Sequence, residues 1–231
     1  MRLHFAKDFR ALVFGASGGI GSALVAALEA QPACGRVVGL SRGGPIRLDV
    51  EDEVSIERAA AALSAHAPFD LMIDATGVLT LDASGPEKRL ADLDATQLLR
   101  AFAVNAVGPA LLAKHFVPLL PRNGRCVFAT LSARVGSIGD NRLGGWYGYR
   151  ASKAALNQLW RCAAIEVARR RPEAVLLCLH PGTVATRLSQ PFVDSDQAAA
   201  PAEAAQRLLN VIGAAGVSGQ FLDQNGSPVL W

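Results

Sequence analysis

Short apolar runs alternate with longer stretches of helical periodicity almost to the end of this chain, and that alternation leaves few folds open. Strands joined through helices lie parallel, and a parallel sheet needs helices on both faces to bury it. Ala11-Leu12-Val13-Phe14 reads as a first strand, followed by a helix from Ile20 to Ala30 that stops before Pro32. Arg36 to Leu40 reads as a second strand, Ile46-Arg47-Leu48 as a short third and Asp70 to Asp74 as a fourth, after a helical pattern from Val54 to Ala65. Arg125 to Ala129 and Val175 to Leu179 read as two more central strands. Thr96 to Leu119 and Tyr149 to Arg169 are the long helical stretches. Polar Thr80 to Arg89, with Gly85-Pro86, is expected to be a surface loop. Arg187 to Ala200 follows a strand and a Pro-Gly turn, where open α/β sheets build ligand sites, and is expected to form a short lid. No repeat or linker divides the chain, so residues 1–231 are expected to form one domain.

Composition narrows the classes further. Hydrophobic residues are 51% and charged residues 19%, enough for a well-buried core and too apolar for global disorder. A formal charge of +3 does not argue for nucleic acid, and the one basic run, Arg169-Arg170-Arg171, falls where it would complement a helix C-terminus. Cys34, Cys126, Cys162 and Cys178 are scattered, as are His4, His66, His115 and His180, so neither a disulfide framework nor a metal site is expected. The first residues lack the apolar core of a signal peptide, and no uninterrupted apolar run reaches the ~20 residues of a membrane span. The expectation is a cytoplasmic protein without a membrane partner.

Two local patterns carry chemistry. Directly after the first strand comes Gly15-Ala16-Ser17-Gly18-Gly19-Ile20-Gly21, a glycine turn opening a helix. A dinucleotide pyrophosphate needs close backbone and free amides at a helix N-terminus, and side chains would obstruct both. Far downstream, Tyr149 and Lys153 stand one helical turn apart on one face. A free phenol, with a pKa near ~10, is a poor acid or base at neutral pH, and a neighbouring ammonium favours its ionised form. Tyr147 has Ala151 rather than lysine four residues on, so it is not the partner, and Lys114 reads as a solvated charge.

With these motifs in order, the chain resembles the short-chain dehydrogenase/reductase family over nearly its whole length. The resemblance implies a single-domain Rossmann fold: a doubly wound, mostly parallel, seven-stranded sheet with helices on both faces. The glycine turn looks like the family's cofactor motif, implying roles for Gly15, Ser17, Gly18, Gly19, Ile20 and Gly21. Asp74-Ala75-Thr76-Gly77 resembles the Asn-Asn-Ala-Gly motif with both asparagines replaced, which places Ala75, Thr76 and Gly77 at the cofactor. Asn105 is similar to the asparagine that orders a water in the proton relay, and Tyr149-Arg150-Ala151-Ser152-Lys153 matches the Tyr-x-x-x-Lys signature. Pro181-Gly182-Thr183-Val184-Ala185-Thr186 resembles the segment holding the nicotinamide carboxamide, through Pro181, Gly182, Val184 and Thr186.

The family also places a serine at the end of its fifth strand, and here the register is open. Counting forward from Gly124 puts Ser132 at that place, counting back from Gly136 puts Ala133 there, and Ser137 is a third candidate; Ser132 is our assignment. At the end of strand two an acid would accept the ribose hydroxyls of NAD(H), whereas an arginine would pair with the extra phosphate of NADP(H). Ser41-Arg42 has no acid, so NADP(H) is the expected cofactor and NAD(H) the lesser one, with Asp49 and Val50 set to meet the adenine.

The implied activity is hydride transfer between nicotinamide and a small carbonyl or alcohol substrate, with Asn105, Ser132, Tyr149 and Lys153 as the catalytic set. Gly136 to Asn141, Gly144 to Arg150 and Gly219 to Gly226 are similar to the carbonyl-reductase-like group that includes the C-factor and sniffer-type proteins. That likeness carries a second expectation, a nucleotide-binding signalling or scaffold protein whose turnover is incidental. Ala154, Ala155 and Leu159 on the last long helix suit a two-fold packing face, and the family's habit implies a homodimer or homotetramer.

Overall fold

The structure is a computed structural model and describes residues 3–80, 85–192 and 198–231. Six strands, β1 (Phe9–Phe14), β2 (Cys34–Leu40), β3 (Leu71–Asp74), β4 (Cys126–Leu131), β5 (Ala174–His180) and β6 (Gln220–Asp223), pair in parallel in the order β2-β1-β3-β4-β5-β6. The helices are α1 (Gly19–Glu29), α2 (Glu53–Leu63), α3 (Ala95–Phe102), α4 (Gly108–Phe116), α5 (Tyr147–Ala168) and α6 (Pro201–Ala214). Because side chains alternate across a strand, each strand feeds two cores. Leu12 and Phe14 pack with Ile56, Phe116 and Trp160 beneath α2, α4 and α5. Ala11 and Val13 pack with Leu24, Leu28, Leu208 and Ile212 beneath α1 and α6. Both faces are thus dry, which is why the strands read as continuous apolar runs rather than alternating ones.

Among the described residues the sheet has six strands, not the expected seven. Ile46-Arg47-Leu48 is not a strand: its contact with the sheet is one isolated bridge, Ser41 to Arg47. Residues 41–45 are too few for the crossover that a parallel neighbour requires, so the sheet ends at β2 on that side. Gln220–Asp223, read from the sequence only as part of a terminal likeness, closes the opposite edge as β6.

The long helical stretch expected from 96 to 119 is interrupted at the point that matters for function. A π-helical turn spans Ala103–Val107, with Asn105 at its centre. Pro109 has no N–H to give the Asn105 carbonyl four residues earlier, so the α ladder cannot pass through unbroken. Taken as one piece, Ala95–Leu119 is long and apolar enough to cross a membrane, with mean hydropathy 1.3. Part of its apolar face packs inward, with Leu112 and Phe116 fully buried against the sheet, while Leu99 and Val107 are exposed. Lys114, read as a solvated charge, is an exposed side chain that bonds Glu53 at the start of α2 at 2.6 Å.

Candidate functional site

Strand order reverses between β1 and β3, and open sheets bind ligands in the crevice beyond such a switch. The loops leaving these strands touch there. Gly15 sits at φ +76°, and a Cβ on it would lie 2.9 Å from the Ala75 carbonyl. A Cβ on Gly21 would fall 2.1 Å from the Gly15 oxygen, so the turn closes tightly enough that only glycine fits. Gly18 caps α1 without a side-chain bond, leaving the first-turn amides free to meet an anion.

A cavity of about 220 Å³ opens over this crevice. It is lined by Gly15, Ser17, Gly18, Ser41, Arg42, Asp49, Val50, Ala75, Thr76 and Gly77, all expected from the sequence, together with Leu48, Glu51, Val78 and Val104, which were not. Arg42 is exposed and makes no ion pair or hydrogen bond among the described residues. Gly19, Gly21, Pro181, Gly182, Val184 and Thr186 stand outside the cavity wall. The last of them closes on the turn, since a Cβ at Gly19 would meet Thr186 Cγ2 at 2.9 Å. Ile20 packs into the core beneath α1 and α6 rather than toward the cavity. The small-residue cradle, the free helix amides and the unpaired cation together fit a phosphate-bearing dinucleotide.

Beside the cavity, β3, the π turn and α5 bring three of the four expected catalytic residues together. A Cβ at Gly77 would be 3.3 Å from both Asn105 Oδ1 and Lys153 Nζ. Asn105 is fully buried: its Oδ1 accepts from Val78 N at 2.8 Å, and its Nδ2 donates to Val78 O at 2.9 Å and to Ser152 Oγ at 3.1 Å. These bonds fix the amide and leave the backbone carbonyl as the group released by the π turn. Lys153 Nζ donates to Leu131 O at 2.8 Å and lies 6.0 Å from the Tyr149 ring centre.

Burial sets the electrostatics of the pair. Desolvation pushes the Tyr149 phenol up to about 12 and draws the Lys153 ammonium down to about 8, the latter opposed by the charge of Asp74. Asp74 replaces the first asparagine of the family motif and is itself fully buried. Its oxygens accept from Thr76 N at 2.9 Å, Thr76 Oγ1 at 2.6 Å and Thr130 Oγ1 at 2.7 Å. Burial still raises its pKa despite those bonds. A sequence signal for this role existed: an acid where the motif has an amide, with hydroxyls close by to hold it.

Ser132 follows Leu131, whose carbonyl Lys153 bonds. It is buried, and its Oγ donates to Asn157 Oδ1 at 2.6 Å, while Ala133 is the half-exposed neighbour. Ser137 is buried too, its Oγ accepting from Asp140 N at 3.1 Å. Asn157 lies four residues beyond Lys153 on the same face of α5, a spacing that marks it in the sequence. Of the lid, residues 193–197 lie outside the described residues, as do residues 81–84 of the expected surface loop.

The fold and the glycine cradle define a Rossmann-type dinucleotide-binding domain, and comparison with known proteins names its family. Residues 15–219 match the family described as Enoyl-(Acyl carrier protein) reductase. The chain is 35% identical over 178 residues to C-signal of Myxococcus xanthus, covering 75% of this chain and 99% of that protein. It is 33% identical over 187 residues to 1-hydroxy-2-glutathionyl-2-methyl-3-butene dehydrogenase of Rhodococcus, covering 80% of this chain and 78% of the relative. A short-chain dehydrogenase/reductase of Burkholderia multivorans solved with bound NADP superimposes with a TM-score of 0.84 at 27% identity, covering 97% of this chain and 100% of that one. The protein belongs to the short-chain dehydrogenase/reductase family of oxidoreductases.

Proposed function

We propose that the protein is an NADP(H)-dependent oxidoreductase that interconverts a carbonyl compound and its alcohol, with Tyr149 as the acid and base. The meeting of Lys153 and Asn105 at Gly77, on the rim of the glycine-lined cavity, with the Tyr149 ring 6.0 Å from Lys153 Nζ, carries this reading. When bound, NADPH supplies the hydride. The Tyr149 phenol, held neutral by burial, is a ready proton donor to a carbonyl oxygen placed against it. Lys153 is cationic at pH 7 and stabilises the phenolate left behind. In this reading the Asn105 carbonyl, freed by the π turn, orders the water that restores the proton.

Arg42 and Ser41 support NADP(H) over NAD(H), because an unpaired guanidinium at the cavity edge suits a phosphate and the end of β2 carries no acid. A titration following nicotinamide fluorescence is expected to show NADPH binding about 10- to 100-fold tighter than NADH. Arg42→Glu is expected to abolish or reverse that preference, and a variant that kept it would refute the assignment.

One observation favours the second reading, a nucleotide-binding role with incidental turnover: the Ser132 hydroxyl donates its proton to Asn157. Ser132→Ala separates the two roles this residue could have. A structural role predicts a stability loss of about 1–3 kcal/mol in denaturant titration, from the stranded Asn157 oxygen, with turnover reduced less than about tenfold. A role in steadying the substrate oxygen predicts a kcat loss of about 10²- to 10³-fold.

A further inference from the structure

The last long helix, α5, starts without a cap of its own. Trp146, its N-cap residue, sits in the left-handed region at φ +50° and makes no side-chain bond to the first turn. A helix start leaves its first four amides without partners inside the helix, and a first turn that nothing holds frays. Tyr149 is the third residue of α5 and so stands in that turn. Lys153 stands one turn deeper and is tied to the sheet by its 2.8 Å bond to Leu131 O. The two members of the pair therefore depend on different anchors, the lysine on the sheet and the tyrosine on whatever holds the helix start.

Glu87 supplies the missing cap from the loop ahead of α3, 61 residues before Gly148 in the chain. Its backbone oxygen accepts from Trp146 N at 2.5 Å, and its side-chain Oε2 accepts from Gly148 N at 3.1 Å. A carboxylate at this end also meets the positive pole of the helix dipole. The sequence makes room for it: a Cβ on Gly148 would lie 2.8 Å from Glu87 Oε1, so any larger residue there would displace the carboxylate. Directly after Tyr149, Arg150 Nε donates to Gly144 O at 3.1 Å and Gly145 O at 2.9 Å, and its Nη1 to Val135 O at 3.3 Å. The residues on either side of Tyr149 in the chain are thus both tied down. Glu87, Gly148 and Tyr149 also share the wall of a cavity of about 440 Å³.

We infer that Glu87 is a positioning residue: by capping α5 it holds the first turn in place and keeps the Tyr149 ring at its 6.0 Å from Lys153 Nζ. This rests on the proposed role of Tyr149 as acid and base, and adds to that reaction a residue outside the catalytic set. Glu87 lies outside the wall of the glycine-lined cavity, so its loss falls on kcat and spares cofactor affinity.

The test follows NADPH-dependent reduction of heptanal by the parent, Glu87→Ala, Glu87→Gln and Gly148→Ala proteins, with amide hydrogen exchange of residues 146–152 read by mass spectrometry. Glu87→Ala is expected to lose kcat by about 10- to 100-fold, because a misplacement of ~1 Å at a reacting group costs up to ~10². Its NADPH affinity, from nicotinamide fluorescence, should stay within about twofold of the parent's, which also shows that the variant is folded. Exchange in 146–152 should quicken about tenfold, as the loss of a cap allows, while residues 156–168 exchange as in the parent. Glu87→Gln keeps an oxygen for Gly148 N and is expected to return kcat to within about threefold of the parent. Gly148→Ala reaches the same contact without altering Glu87, and despite alanine's better helix propensity it is expected to lower kcat and quicken the same exchange. Faster exchange in Glu87→Ala without a fall in kcat overturns the inference, as does a Glu87→Gln protein impaired as much as Glu87→Ala. Parent-like kcat and exchange in Gly148→Ala overturn it even if Glu87→Ala does not fold. Equal turnover, or none, in the parent and Tyr149→Phe proteins would count against the carbonyl reading instead. Exchange alone then decides whether Glu87 holds the turn: faster exchange in Glu87→Ala and Gly148→Ala supports it, and unchanged exchange overturns it.

Discussion

Tyr149→Phe is expected to lose carbonyl reduction by about 10³- to 10⁴-fold while keeping the parent's affinity for NADPH. General acid catalysis contributes ~10²–10⁴ to such a reaction, and the upper part of that range applies because the Ser132 hydroxyl already donates its proton to Asn157. In the structure the phenol oxygen has no hydrogen-bond partner among the described residues, so removing it strands nothing. The ring contacts with Trp146 remain available to phenylalanine. Thermal stability should therefore stay within about 0.5 kcal/mol of the parent, which separates lost chemistry from lost fold. Single-turnover kinetics under saturating NADPH, together with nicotinamide fluorescence, measure both quantities on one preparation. Near-normal turnover would remove Tyr149 from the mechanism.

The parts of this site legible in the sequence are those whose chemistry is local. Gly15 to Gly21 and the Tyr149/Lys153 pair are each fixed within one turn and one helix face, so spacing alone places them. Asn105 was found by resemblance, yet its physical cause was also written in the chain, in Pro109 four residues on. The assignments that strayed depend on partners distant in sequence. Ile46-Arg47-Leu48 has strand-like composition, but a parallel strand also needs a crossover that residues 41–45 cannot provide.

The register at Ser132, open in the sequence, shows a related limit at the scale of one side chain. At a strand end, a slip of one residue sends a side chain to the opposite face, and counting from either flanking glycine left that slip open. Here the fold turns Ser132 toward α5 and leaves Ala133 half-exposed. Asp74, Thr76 and Thr130 form a hydrogen-bonded unit in place of the family's amides, a substitution visible in the sequence whose consequence, a buried acid opposing the desolvation of Lys153, needed the structure.

Lys153→Met is expected to affect activity and stability in opposite ways. Without the ammonium, the phenolate of Tyr149 has no charge beside it, and reduction should fall about 10²- to 10³-fold. In the parent, reduction should be level at lower pH and decline as pH rises through about 8, because Lys153 then loses its charge while Tyr149, at about 12, keeps its proton. The stability consequence has the opposite direction. Burial lowers the Lys153 pKa from 10.5 to about 8, so between these values the unfolded chain holds the proton that the folded protein has released. Parent stability from this group therefore rises with pH across that window, by about 1–3 kcal/mol. Methionine fills a similar volume, carries no charge to desolvate and has no such dependence. Asp74 loses its opposing charge in the variant, but its carboxyl, already raised by burial, takes up a proton rather than remaining an unpaired anion. Relative to the parent, the variant is thus most stabilised near pH 7, and this advantage shrinks by about 1–3 kcal/mol by pH 10, read as melting temperatures at both pH values. Parallel curves for the two proteins would mean that Lys153 carries no desolvation strain, and the electrostatic basis of its partnership with Tyr149 would fall with it.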